Sequence, residues 1–256
     1  MRLKPGLLFV FLLPFTTASA QNWGGGVDDE RVHFGFTFQY TSAVYKVLKK
    51  PDWNAPFVYT DPSVPGAPAK QVTDPLKAMY SKPASGFGIG FIVNGRLSNN
   101  ADVRLTPTLV FSDRIMQYDY NPVGTPVNES FTAVTKKVAA TLVEFPLGIK
   151  IKSNRRNNFR AYMLYGAKYS ADIASSKKSF DDDVNPEFKF LKNRKGYFSY
   201  EAGLGMDLYF EYFKMSPEIK WSASMNNLLD NRDPNPFNAP IDKLMLRHVT
   251  FSLFFE

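Results

Sequence analysis

The chain has 256 residues, no cysteine, two histidines, 15% aromatic residues and a formal charge of +7. The absence of cysteine excludes a disulfide framework, a thiolate metal site and a cysteine nucleophile. The charge is spread along the chain, with no unbroken Lys/Arg run beyond two residues, so no nucleic-acid partner is expected.

The chain opens with Arg2 and Lys4 ahead of the short apolar stretch "GLLFVFLLPF" (6–15), and "ASA" (18–20) supplies small residues for cleavage. This order predicts an export signal over 1–20, too short for a membrane helix. Removing Arg2 and Lys4 leaves 29 basic against 24 acidic residues, or +5. "NWGGGVDDER" (22–31) then reads as a polar, flexible leader, so 21–31 is expected to precede the first strand.

From residue 32 onward apolar side chains recur at every second position. "VHFGFTFQY" (32–40) sets Phe34, Phe36, Phe38 and Tyr40 against Gly35, Thr37 and Gln39. "SGFGIGFIVNGRL" (85–97) sets Phe87, Ile89, Phe91 and Val93 against Gly86, Gly88, Gly90, Asn94 and Arg96. "ADVRLTPTLVFS" (101–112), "AATLVEFPLGIKI" (139–151) and "FRAYMLYGAKY" (159–169) repeat the pattern. So do "YFSYEAGLGMDLYF" (197–210), "KMSPEIKWSASM" (214–225) and "RHVTFSLFFE" (247–256), which makes eight predicted strands. Pro107, Pro146 and Pro217 fall inside three of them, where a missing ladder donor predicts bulges or strands that run well past a membrane.

The predicted connections alternate in length. Those at 41–84, 113–138, 170–196 and 226–246 are long, and those near Ser98–Asn100, Lys152–Asn158 and Glu211–Phe213 are short. Short strands with one greasy and one charged face, an even strand count and this loop asymmetry describe an all-β, eight-stranded, antiparallel, up-and-down transmembrane β-barrel over 32–256. Lipid is then the partner of the greasy face. A soluble barrel would turn its apolar side chains inward and has no reason to sort its loops by length.

Eight strands enclose an interior that side chains just fill. The inward parity carries Arg96, Arg104, Glu144, Lys150, Arg160, Glu201, Asp207, Glu218 and Lys220. Buried charges must pair, so these nine are expected to form a structural network and not an ion path. His33 and His248 fall on the first and last strands with inward parity, and without a third ligand they predict lumen histidines and no metal site. "SFDDDVNPE" (179–187) lacks the alternating ligands and mid-loop glycine of a calcium loop, and "GFGIG" (86–90) spaces its glycines along one strand face. Those glycines are expected to leave room for arginine side chains. No nucleophile elbow or zinc-protease helix occurs, a membrane-embedded enzyme would need a His with Ser or Asp at a rim, and no cofactor or small-molecule substrate is implied. The aromatic residues Trp53, Phe57 and Tyr59 in the first long loop form an expected docking surface for a partner.

"PASGFGIGFIVNGRLSNNADVRLTPTLVFSDR" (83–114), "EFPLGIKIKSNRRNNFRAYMLYGAKYSADI" (144–173), "YEAGLGMDLYFEYFKMSPEIKWSASMNNLL" (200–229) and "HVTFSLFFE" (248–256) together resemble the PorT/SprT family, with 212–229 the most specific stretch. That family consists of small outer-membrane barrels of Bacteroidota within the type IX secretion machinery. The resemblance implies an outer-membrane, non-enzymatic accessory of protein secretion, and of adhesin export in gliding species, with other secretion components as partners. A barrel too narrow for folded cargo would act in assembly or gating. The alternative is a structural or adhesive barrel with exposed loops.

Overall fold

A computed structural model describes residues 30–60, 66–121, 132–174, 191, 193–232 and 235–256. The predicted signal at 1–20, nearly all of the leader and the acidic segment 179–187 lie outside the described residues.

The strands are β1 (Val32–Lys49), β2 (Val58–Tyr59), β3 (Lys70–Gln71), β4 (Leu76–Lys82), β5 (Ala84–Arg96), β6 (Ala101–Leu105), β7 (Thr108–Tyr120), β8 (Ala133–Lys152), β9 (Phe159–Asp172), β10 (Gly196–Tyr209), β11 (Lys214–Ser224) and β12 (Ile241–Phe255). Ten of them form one antiparallel sheet, and β2 and β3 make a small external hairpin. Because β4 runs on into β5 and β6 into β7, the ten strands make eight passes. β1 closes the ring by pairing with β12 on one side (Phe36 opposite Phe255) and β5 on the other (Phe36 opposite Phe91). Closure removes both sheet edges, which lipid requires because no water is there to satisfy them.

Period-2 alternation is realised as the sequence predicts. Phe34, Phe36, Phe38 and Tyr40 point out, as do Phe87, Ile89 and Phe91, Phe145, Leu147 and Ile149, and Val249 and Phe251. Over this band most inward positions are polar or charged, with Ile92, Val110, Leu142, Leu164 and Phe254 packed among them as buried apolar residues. Asn157 takes a left-handed φ of 52° in the tight turn between β8 and β9, a conformation that asparagine tolerates well.

The strands are longer than the apolar band. β1 has 18 residues and β8 has 20, against the 9–11 or so that a bilayer needs. The segments 41–49, 76–82, 113–120, 133–138 and 241–246, expected as loop, continue the barrel beyond the membrane on the long-loop side. There the outer face meets water, and the pattern inverts. Lys46, Lys137 and Arg247 are exposed, while Tyr45, Met116, Tyr118, Leu244 and Leu246 are buried inside.

The three prolines introduce no bulge. Across Pro107 the partner of β8 passes from Leu105–Leu147 to Thr108–Glu144, which conserves the register, and Pro146 and Pro217 sit in register opposite Lys168 and Leu253. The Pro107 carbonyl still accepts from Phe91 N–H at 3.0 Å and the Pro146 carbonyl from Thr106 N–H at 3.1 Å. Nor do the glycines of "GFGIG" make room for arginine. A Cβ on Gly90 would lie 2.4 Å from the Pro107 carbonyl oxygen and one on Gly86 2.5 Å from that of Phe111, so close approach of β7 backbone is what excludes a side chain.

Candidate functional site

Inside the membrane band, inward-facing residues of neighbouring strands meet in a dense ionic network. β6 carries Arg104 between two carboxylates, with Nη1 3.2 Å from Glu218 Oε2 and Nη2 3.4 Å from Glu256 Oε1. Tyr162 donates its hydroxyl proton to the same Glu218 oxygen at 2.9 Å, and the Arg104 guanidinium lies over the Phe254 ring, 4.7 Å from its centroid. Lys150 on β8 reaches across the lumen to both oxygens of Asp207 on β10, at 2.6 and 2.8 Å. Ser216 adds a third bond to Asp207 at 2.6 Å.

A second cluster links β8, β9, β10 and β11. Glu144 accepts from Lys168 at 2.9 Å and from Ser170 at 3.0 Å. Glu201 lies 3.7 Å from Lys168 and 3.4 Å from Lys220, which is itself 4.0 Å from Glu218. All of these side chains are buried. The space left among Arg104, Glu201, Glu218, Lys220 and Phe254 is about 10 Å³, room for one water molecule at most. Charges withdrawn from water to this degree are tolerated only where partners surround them.

Of the nine predicted lumen residues, Arg104, Glu144, Lys150, Glu201, Asp207, Glu218 and Lys220 are in this network. Arg160 is buried at the short-turn end, where it donates to the carbonyls of Ser153 and Asn99. Arg96 departs from expectation. It ends β5 half-exposed and donates to Asn99 Oδ1 at 2.6 Å, because the chain leaves the barrel one residue later.

The sequence reading missed Asp102, Lys152, Lys168, Lys214, Glu256 and Arg114. Lys152 holds Asp102 at 2.6 Å and Lys214 holds Glu256 at 2.9 Å. Arg114 donates to the Tyr197 hydroxyl at 3.3 Å. Their parity carried the signal: Asp102 shares that of Arg104, Lys152 that of Lys150, and Lys214 that of Ser216.

Above the network an apolar plug closes the other half of the lumen. Ala43, Tyr45, Met79, Met116, Tyr118, Val138, Leu244 and Leu246 supply it from the strands. The last external loop folds inward over them with Leu228, Leu229 and Phe237. Tyr118 donates to the Phe237 carbonyl at 2.8 Å, and their rings meet edge to face at 5.3 Å. Asn235 fixes this loop by accepting from the N–H groups of Phe237 and Asn238, at 2.9 and 3.0 Å.

The expected docking aromatics are in the external lid. Trp53 packs against the plug beneath the Lys49 ammonium, 3.7 Å from its ring centroid. Phe57 is held by its N–H bond to Thr73 Oγ1 at 3.0 Å, and with Trp53, Pro56, Pro236 and Pro240 it lines an external cleft of about 220 Å³. Tyr59 lies in the β2–β3 hairpin opposite Lys70, next to Val58, which also lines that cleft.

The two histidines are inward and far apart. His248 pairs with Ala43, ten residues along β1 from His33, or about 33 Å. Its Nδ1 lies 3.3 Å from the Ser222 hydroxyl. No group of three metal-ligating side chains occurs among the described residues.

A closed antiparallel ring with a lipid-facing apolar band, a charged interior and long loops at one end is an outer-membrane β-barrel. The chain belongs to the family described as "Outer membrane protein beta-barrel domain", which matches residues 20–230, and its place is the outer membrane. Similar solved structures include the outer membrane protein OprG from Pseudomonas aeruginosa, with 12% identity over 86% of this chain and 93% of that one and a TM-score of 0.42. Ail, the attachment invasion locus protein of Yersinia pestis, in complex with the heparin analogue sucrose octasulfate, shows 8% identity over 87% of this chain and 96% of that one, with a TM-score of 0.34. No curated protein matches the chain in sequence.

Proposed function

We propose that this barrel is a non-enzymatic accessory of a protein-secretion apparatus in the outer membrane, acting in assembly or gating and not as the conduit. One observation supports the second half of that reading most directly. The lumen is filled twice over, by the ionic network around Arg104, Lys150 and Glu218 within the membrane and by the plug around Tyr118 and Phe237 above it. A protein that moves nothing through its centre works through its surfaces.

The resemblance of 83–114, 144–173, 200–229 and 248–256 to PorT/SprT supplies the type IX setting, with the other components of that apparatus as partners. The external lid offers the contact surface, with Trp53 and Phe57 lining a cleft and Tyr59 on the adjacent hairpin.

Deleting the gene in its host and comparing secreted proteins with periplasmic precursors tests the role. Cargo held in the periplasm and released by the restored gene is the expected result. Normal secretion would sink it and leave a structural or adhesive barrel. Alanine at Trp53, Phe57 and Tyr59 is expected to weaken secretion while the barrel still folds, and full secretion by that variant would remove the lid as the contact surface.

A further inference from the structure

The outer surface of the barrel is not electrically uniform above the apolar band. On β12 the last lipid-facing apolar residue is Val249, and Arg247 follows two residues on, about 7 Å along the strand. Arg247 stands opposite Val44 of β1, and Lys46, the next exposed residue there, stands opposite Met245. Lys243 lies one step further up β12, opposite Leu48. On the other side of β1, Lys82 at the end of β4 is exposed, with its ammonium 6.0 Å from the Tyr80 ring.

Lys82, Lys46, Arg247 and Lys243 thus occupy three consecutive passes, and none has an ion pair among the described residues. Asp242, exposed at the top of β12, is the carboxylate on this face. The remaining circumference differs at the same height. On β7 and β8, Asp113 and Lys137 neutralise each other at 2.8 Å. On β9 and β10 the outward residues Tyr169, Ala171, Ile173 and Phe198 carry no charge, and the exposed Arg194 and Lys195 come only just before β10 begins.

The height of this patch is set by the rings beneath it. Tyr40, its hydroxyl 2.7 Å from Ser85 Oγ, and Trp221, in edge-to-face contact with Tyr200, mark the upper border of the apolar band as an aromatic girdle does. Side chains one or two steps above that border reach the headgroup layer. Long basic side chains there keep their stems on the strands and their charges in the polar zone.

We propose that the β4–β1–β12 face binds the phosphate groups of a phosphorylated glycolipid in the outer leaflet. Arg247 suits a phosphate by its two parallel N–H donors, while Lys46, Lys82 and Lys243 act as point charges around it. The acyl chains of the same lipid then lie on Phe36, Phe38, Phe251 and Leu253 directly below. Basic residues at a membrane surface each contribute about fivefold in lipid affinity. Three together are worth on the order of a hundredfold before losses to flexibility.

The test uses the full chain folded in detergent and titrated with diphosphoryl lipid A, dephosphorylated lipid A and phosphatidylcholine, with native mass spectrometry counting retained lipid. Diphosphoryl lipid A is expected to bind at least about tenfold more tightly than the other two. The K46Q/K82Q/R247Q variant should lose that preference, K46R/K82R should keep it, and K137Q on the neutral face should leave it unchanged. All three substituted positions are exposed, and shifted gel mobility on heating reports folding. Should the triple variant fail to fold, R247Q alone carries the test through an expected loss of about fivefold. Undiminished binding by the folded triple variant, or by R247Q in its place, overturns the proposal. So does equal binding of dephosphorylated lipid A, which would assign retention to acyl chains. Displacement of bound lipid A by millimolar inorganic phosphate would mark a free-phosphate site and overturn it as well.

Discussion

Lys150→Met removes one half of the most enclosed ion pair in the lumen. Lys150 and Asp207 have side chains 0% and 1% exposed, so the stranded carboxylate has no route to solvent. It retains the Ser216 hydroxyl at 2.6 Å and loses two charge-assisted bonds. Breaking a buried pair in this way costs about 3–5 kcal/mol. Asp207→Leu is expected to cost a similar amount by stranding the ammonium against the Tyr162 ring, whose centroid is 3.9 Å away. The double variant removes both charges, leaves Ser216 short of an acceptor, and should sit within about 1–2 kcal/mol of the parent. The coupling energy of the cycle is then at least about 3 kcal/mol. Urea unfolding in lipid vesicles, followed by tryptophan fluorescence, measures all four corners. Lys137 and Asp113 provide an internal control, because they are just as close at 2.8 Å but 61% and 38% exposed. That pair is expected to couple by less than about 1 kcal/mol and to weaken with salt, whereas the Lys150 cycle should ignore salt. A Lys150–Asp207 coupling below about 1 kcal/mol would mean that water reaches the lumen, and the filled-interior reading would fail.

Two further expectations follow from packing and from orientation. Gly166→Ala should prevent folding, because the new Cβ would lie 2.4 Å from the Leu147 carbonyl oxygen and 2.7 Å from Gly148 Cα, whereas Gly95→Ala, whose nearest neighbour is 3.9 Å away, should fold normally. Heat-dependent gel mobility separates the two outcomes, and a folded Gly166→Ala protein would refute the close approach. Since the chain contains no cysteine, single cysteines report topology without background. Val58→Cys on the external hairpin should react with an impermeant maleimide on whole cells, and Glu211→Cys in a short turn should not. The reverse pattern would invert the barrel in the membrane and remove the glycolipid surface with it.

The part of the fold legible in the sequence is the part whose outer face meets lipid. At Phe34, Phe36, Phe38 and Tyr40 one parity is apolar and the other is not, so eight strands and their facing could be read directly. Beyond Tyr40 that rule no longer applies. Ala43, Tyr45 and Val47 turn inward, opposite to Phe38, because water has replaced lipid outside and the ordinary preference for an apolar interior takes over. A pattern that exchanges faces within one strand looks like no pattern, which is why 41–49, 133–138 and 241–246 read as loop. β4 is harder still, since the register irregularity between Leu76 and Ala78 disrupts its alternation. The ionic network was visible as a set of inward charges, but the pairing was not. Which carboxylate meets Arg104 depends on strand tilt and on reach across the lumen, and a linear parity rule contains neither.

The change of interior from charged to apolar along the axis has a physical logic. In the membrane band the outer face must be apolar, so an apolar interior would make each strand greasy on both sides and leave its facing undefined. A slip of one residue turns every side chain over. With Lys214, Glu218 and Lys220 on the inner face of β11, that slip would thrust three charges into lipid. A Lys near the midplane costs about 2–4 kcal/mol, and the three together exceed the worth of several ladder bonds. We therefore hypothesise that the network specifies register more than it adds stability. Above the band, water on the outside already distinguishes the faces, and the plug of Tyr118, Met116, Leu244 and Phe237 can be apolar without ambiguity. The Lys150→Met/Asp207→Leu variant exposes the difference. It should unfold at nearly the parental urea concentration, yet spin labels placed across β8 and β9 should show more than one distance. A single distance matching the parent would assign the network to stability alone.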